Sequence, residues 1–181
     1  EVMQDHFQNP FHSGFRTVRV IKNFPQGCIK MTLIHHLRPG TVLLKPDIAD
    51  KWDLIERMVD AFVSSGSLPS SQRSATLAAL IDRERSLSTG MEDGIAVPHA
   101  ALDGLESMAS GIATLPDGID FQSLDGNPTR IVVTLVVPQD QKLDHLRVLT
   151  DVARRLGETS FREKILLART AEEVLALWAD G

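Results

Sequence analysis

Thr89-Gly90-Met91-Glu92-Asp93-Gly94-Ile95-Ala96-Val97-Pro98-His99-Ala100 is the stretch on which the fold and the site of this chain turn. Gly94 to Pro98 is a short apolar run closed by a proline, which spells a strand with His99 just past its end. Open α/β sheets hold their sites beyond the carboxyl ends of strands. A histidine so placed can act as a nucleophile, because neutral imidazole presents a lone pair without first losing a proton. From position alone, an ordinary loop or cap histidine fits as well.

Working outward, strands and helices alternate. Upstream, Thr41-Val42-Leu43-Leu44 reads as a short strand. Asp50 caps a helix whose Trp52, Ile55, Met58, Val59 and Phe62 keep helical spacing, with Gly66 as the stop. A second helix runs through Leu77, Leu80 and Ile81 to end near Arg85-Ser86. Downstream, Met108 to Leu115 and Arg130 to Val137 are strands, the second β-branched and apolar enough to be buried on both faces. The turn between them is Asp125-Gly126-Asn127-Pro128. Leu143, Leu146, Leu149, Ala153 and Leu156 mark a further helix, and Ser160/Glu163 and Thr170/Glu173 read as capping boxes opening two short ones. The fold class is therefore α/β: one domain with a mixed β-sheet flanked by α-helices.

Two more groups stand near the same end of this sheet. His145 lies seven residues past Pro138, in the first turn of a helix; if its strand neighbours that of His99, the two imidazoles meet. A second imidazole can orient the first or hydrogen-bond a phosphoryl oxygen. Arg83-Glu84-Arg85 closes the second helix and leads into Ser86 to Gly90, close in sequence to the His99 strand. A guanidinium fork matches phosphate oxygens, although such a triplet also suits a solvated helix end.

Composition narrows the function classes. The net charge is −5, so a nucleic-acid partner, which demands clustered Lys and Arg, is not expected. No apolar run approaches the roughly 20 residues of a membrane span. The single Cys28 forms neither an internal disulfide nor a thiolate cluster, and the cytoplasm is the expected compartment. Phosphate-loop, dinucleotide, nucleophile-elbow and zinc-helix motifs are absent, and neither a metal nor a cofactor is expected. Residues 1–30 carry four Lys/Arg against two acids and four of the seven Phe, whereas residues 31–181 carry 15 against 22. The expected division is an N-terminal extension over residues 1–30 and one acidic domain over 31–181.

The Thr89–Ala100 stretch resembles the phosphorylation-site motif of phosphotransferase-system EIIA domains of the fructose/mannitol and nitrogen-regulatory type. Asp82-Arg83-Glu84-Arg85 upstream, Asp120 to Gly126, the strand Ile131 to Val137, and His145-Leu146-Arg147-Val148-Leu149 fall in the family's order. The resemblance covers about residues 32–181. It implies a phosphohistidine carrier: His99 accepts a phosphoryl group from an HPr or nitrogen-type HPr-like protein, His145 supports it, and Arg83 lies near the phosphate. Thr89 and Glu84 would shape the site, and Met91 and Ile95 would form a partner-docking rim. A nitrogen-regulatory role is favoured. The alternatives are a sugar-transport EIIA passing phosphate to an EIIB cysteine, and a regulatory module that binds its target without turnover. Two departures stand out. Ala100-Ala101-Leu102 carries no charge where many members have a basic residue, and Glu92 and Asp93 place two negative charges near a phosphate site.

Overall fold

The computed structural model describes residues 32–180. The extension over residues 1–30 lies outside the described residues. The elements run β1 (Val42–Leu44), α1 (Lys51–Ser64), α2 (Arg73–Ser86), β2 (Ile95–Ala96), β3 (His99–Leu102), β4 (Ala109–Ile119), β5 (Thr129–Pro138), α3 (Lys142–Leu156), α4 (Thr159–Leu167) and α5 (Ala171–Ala179). Among the described residues no helix is long and apolar enough to cross a membrane.

The sheet is mixed. β4 and β5 pair antiparallel at its centre, β1 runs parallel to β4, and β2 and β3 both run parallel to the far side of β5. Alternation along β5 divides the core in two. Ile131, Val133, Leu135 and Val137 face one layer with α3, α4 and α5, while Val132 and Val136 face α1 and α2. Burial on both faces explains the unbroken apolar run of this strand. Gly111 on β4 is required for the close approach of α1. A Cβ there would lie 2.5 Å from Met58 Sδ and 2.7 Å from Thr41 O.

Local chemistry accounts for most boundaries. The Asp50 carboxylate accepts from the backbone N–H of Trp52 and Asp53, both at 2.9 Å, and starts α1 as expected. Thr170 Oγ1 accepts from Glu173 N and opens α5, but Glu173 turns its carboxylate to the N–H of Arg169, so only half of that capping box forms. The Ser160/Glu163 box does not form. α4 begins two residues earlier, with Glu158 as its cap, and Arg162 occupies its start by donating to Thr159 Oγ1 and Leu156 O.

α3 buries a different stripe from the one expected. Val148, Asp151, Val152, Arg155 and Leu156 are inside, while Leu143 and Leu146 are 71% and 62% exposed. The reason is a buried ion pair: Arg155 donates to Asp151, whose other carboxylate oxygen takes the N–H of Leu33. These buried charges are thus satisfied internally.

Candidate functional site

The expected strand before His99 forms only over Ile95–Ala96, as β2, and His99 opens a further strand, β3, instead of a loop. β2 and β3 share β5 as partner, with Ile95 opposite Ile131 and His99 opposite Leu135, so they form one edge strand interrupted at Val97-Pro98. Pro98 has no N–H for a ladder, but its carbonyl accepts from Leu135 N and keeps the register. Residue parity then sets direction. His99 shares the α3 face with Ile95 and Val97, whereas Ala96 and Ala100 face α2.

From that position the ring meets His145, the fourth residue of α3. The two ring centroids are 5.4 Å apart and tilted by 58°. Both rings are half-buried. His99 Nδ1 lies 2.8 Å from the carbonyl oxygen of Val97. A carbonyl only accepts, so Nδ1 carries the proton, and in the neutral ring Nε2 holds the free lone pair. His145 Nε2 is buried without a hydrogen-bond partner among the described residues. Burial, and then the nearness of His99, pushes the His145 pKa below its usual 6.5, which favours the neutral ring.

The backbone under His99 is braced by a hairpin. Met91 N donates to Ile95 O, Val97 N donates to Thr89 O, and Gly90 bridges Ala96. Thr89 is itself anchored on Glu84: its N–H and its hydroxyl donate to Glu84 Oε2 at 2.9 and 2.6 Å. Both residues are buried, so they shape the backbone, and the Thr89 hydroxyl proton is already engaged. Gly90 is needed because a Cβ would sit 2.8 Å from Phe121 O and 2.9 Å from Ser123 Cα, which are backbone atoms. Gly90→Ala is expected to lose about 1–3 kcal/mol by overpacking. Urea unfolding beside the parent checks this.

The hairpin's turn, Glu92-Asp93-Gly94, lies toward the amino end of β5. Gly94 O accepts from Arg130 N and Ile131 N, and Asp93 N donates to Asp125. Asp93, in the left-handed region at φ 62°, pairs with Arg162 at 3.3 Å. The acidic pair therefore points away from His99 along the strand.

The remaining expected groups divide. Met91 is exposed, toward the hairpin tip. Ile95, expected on the rim, is 7% exposed and packs in the core against the α3 layer, so it is not available to a partner. Arg83 donates to Leu87 O at 2.7 Å, and among the described residues no contact joins it to either histidine. The apolar rim beside the histidine pair comes from elsewhere. Leu146, Leu149, Ala101, Val137 and Pro138 line, with His145, an open groove of about 700 Å³, and Leu143 borders the adjoining one. Apolar residues flanking a helix histidine were the available signal, but they were read as core.

Two histidines make stability depend on pH. His36 is lowered like His145, by burial and then by His35, and its Nε2 is also buried without a partner. With folded pKa values below the unfolded 6.5, the unfolded chain takes up these protons first. Their contribution is complete above that value and is lost as pH falls through the folded values. Thermal melts should show a lower Tm at about pH 5.5 than at about pH 7.5, with a shallower slope in His36→Gln/His145→Gln. An unchanged slope in that variant would contradict the assignment.

Comparison with known proteins agrees with this architecture. The family model described as "Phosphoenolpyruvate-dependent sugar phosphotransferase system, EIIA 2" matches residues 35–180. The fructose-specific EIIA component of the phosphotransferase system from Haloferax volcanii is 34% identical over 138 residues, 75% of this chain and 88% of that protein. The nitrogen regulatory protein of Pseudomonas aeruginosa is 31% identical over 144 residues, 80% and 92% of the two chains. Among solved structures, nitrogen regulatory protein IIA-Ntr from Neisseria meningitidis superimposes with a TM-score of 0.73 at 26% identity, covering 80% of this chain and 97% of its own. The mannitol IIA of Escherichia coli shares the fold, with a TM-score of 0.65 at 22% identity over 78% and 98% of the chains.

Proposed function

The chain belongs to the EIIA 2 family of the phosphoenolpyruvate-dependent sugar phosphotransferase system, and from that premise we propose that His99 Nε2 is the atom that carries the phosphoryl group. The observation that supports this assignment most is the 2.8 Å hydrogen bond from Nδ1 to Val97 O, which leaves Nε2 as the nucleophile. In transfer, the bond from phosphorus to the donor's imidazole breaks as the bond to His99 Nε2 forms. The phosphorylated ring keeps its Nδ1 proton and gains positive charge, which the Val97 carbonyl stabilises. The donor imidazole leaves with its electron pair, so no proton has to cross.

His145 supplies the second half of the site. Its neutral ring adds no charge beside His99, and its unpartnered Nε2 can donate to a phosphoryl oxygen. Arg83 is at the end of α2 that leads into the hairpin, and reaches the phosphate only by giving up Leu87 O. Leu143 and Leu146 form the exposed apolar surface for a partner beside the histidine pair, and Met91 adds an exposed apolar side chain at the hairpin tip. Small, shallow contacts of this kind suit a partner that must dock and leave quickly.

The donor is an HPr-like phosphocarrier, of the general or nitrogen type, and the compartment is the cytoplasm. The chain passes the group on without itself turning over a small molecule. A regulatory role is supported by the relatives named as nitrogen regulatory proteins. Sugar transport, with an EIIB cysteine as recipient, is supported by the Haloferax relative. A binding module without chemistry is disfavoured by the paired imidazoles, one held as a single tautomer. The test is incubation of the purified chain with Enzyme I, HPr and phosphoenolpyruvate, read by intact mass. One added, acid-labile phosphate is expected; none with cognate donors would overturn the carrier reading.

A further inference from the structure

Lys51 is the first residue of α1, directly after its cap, a place where a lysine normally extends into solvent. Here it is 6% exposed. Its Nζ lies 2.9 Å from Glu84 Oε1 and 3.0 Å from Gln122 Oε1, above the ring faces of Trp52 and Phe121. The Glu84 side chain is fully buried and accepts from Lys51 and from the N–H and hydroxyl of Thr89, while Ser88 Oγ, whose single proton is shared with Phe121 O, lies 3.1 Å away.

We propose that Lys51 is a positioning residue for His99, acting through Glu84, Thr89 and Val97. The connection is continuous. Glu84 fixes Thr89, Thr89 O takes the N–H of Val97 at 3.2 Å, and Val97 O takes the Nδ1 proton of His99 at 2.8 Å. The charge of Lys51 is what the arrangement needs. Lys51 Nζ and both Thr89 groups donate to Glu84, and a carboxylate, which only accepts, meets all three without an O–H of its own to place. A buried carboxylate in turn requires a buried countercharge. Stability alone is a poor reason for this pair, since apolar residues of similar volume commonly serve as well or better. What an apolar pair cannot supply is a directional acceptor for both the Thr89 N–H and its hydroxyl. Gln122, held at φ 55° with its N–H on Asp120, aligns the lysine from the opposite side.

The inference rests on the reading of His99 as the phosphoryl acceptor, and its test separates the two. In the full chain, Lys51→Met is measured in two ways: by the ring ¹⁵N shifts of His99, which report the Nδ1–H tautomer without any phosphate, and by the rate of phosphorylation from phosphorylated HPr. The expected result is a smaller Nδ1–H population and a fall in kcat of about tenfold or more, the scale of a misplaced reactive group. KM should be unchanged, because Lys51 is buried away from the docking surface. If Lys51→Met does not fold, Lys51→Met/Glu84→Gln removes both buried charges and is read in the same way, with the same expectation. A folded variant with parental ¹⁵N shifts and parental kcat would overturn the proposal. If the parent itself accepts no phosphate, the carrier reading fails, and the ¹⁵N shifts still decide whether Lys51 sets the tautomer.

Discussion

His99→Ala is expected to accept no phosphate from phosphorylated HPr while keeping the parental melting behaviour. The ring is half-buried and makes one protein hydrogen bond, to Val97 O, so its removal costs little stability. Its chemistry has no substitute. His145 is near enough to touch the ring, yet its Nε2 is buried without a partner among the described residues, where it suits a donor to a phosphoryl oxygen better than an acceptor of phosphorus. His145→Ala should accordingly keep a phosphorylation site and lose rate, by about 10²-fold if its role is one preorganised donor. Intact mass after long incubation separates the two: no phosphate on His99→Ala, slow but complete modification of His145→Ala. Phosphate on the His99 variant would move the acceptor elsewhere.

Trp178→Ala is expected to bring the largest loss of stability, about 3–5 kcal/mol. The side chain is 1% exposed, meets Phe161 edge-to-face at 5.2 Å, and carries the Arg155 guanidinium over its ring at 5.2 Å. Removing it leaves a cavity in the α3–α5 layer and loosens Arg155, which holds Asp151 and through it the N–H of Leu33. Against a typical total of about 5–15 kcal/mol, this is enough to unfold a marginal domain. Urea denaturation followed by tryptophan fluorescence, Trp52 remaining as probe, measures it. A loss below about 1 kcal/mol would mean that this layer repacks freely.

Legibility in the sequence followed how local the determining chemistry was. β5 and α1 could be read because burial on two faces writes an unbroken apolar run, and because a cap carboxylate acts within three residues. The meeting of His99 with His145 was readable as a conditional, since both follow the carboxyl end of neighbouring strands. What escaped depends on partners distant in the chain. The burial of Asp151 and Arg155 depends on each other and on Leu33, 118 residues away from Asp151. Once they turn inward, α3 rotates and its first leucines turn out. The pairing of Lys51 with Glu84, 33 residues apart, escaped for the same reason, although Glu84 itself was expected to shape the site. His99 was displaced by the break at Val97-Pro98: the ladder stops for those two residues, and β3 then resumes it on β5.

The interrupted edge strand also separates two tasks of the molecule. Between Ile95, next to the acidic turn, and His99 lie four steps of register on β5, a span of about 13 Å at roughly 3.3 Å per residue. That exceeds the Debye length of about 8 Å at physiological ionic strength. The charges of Glu92 and Asp93 are thus electrically remote from His99. Under the proposed carrier role, substitutions in the turn are expected to change surface charge without altering how readily His99 takes or releases a phosphate.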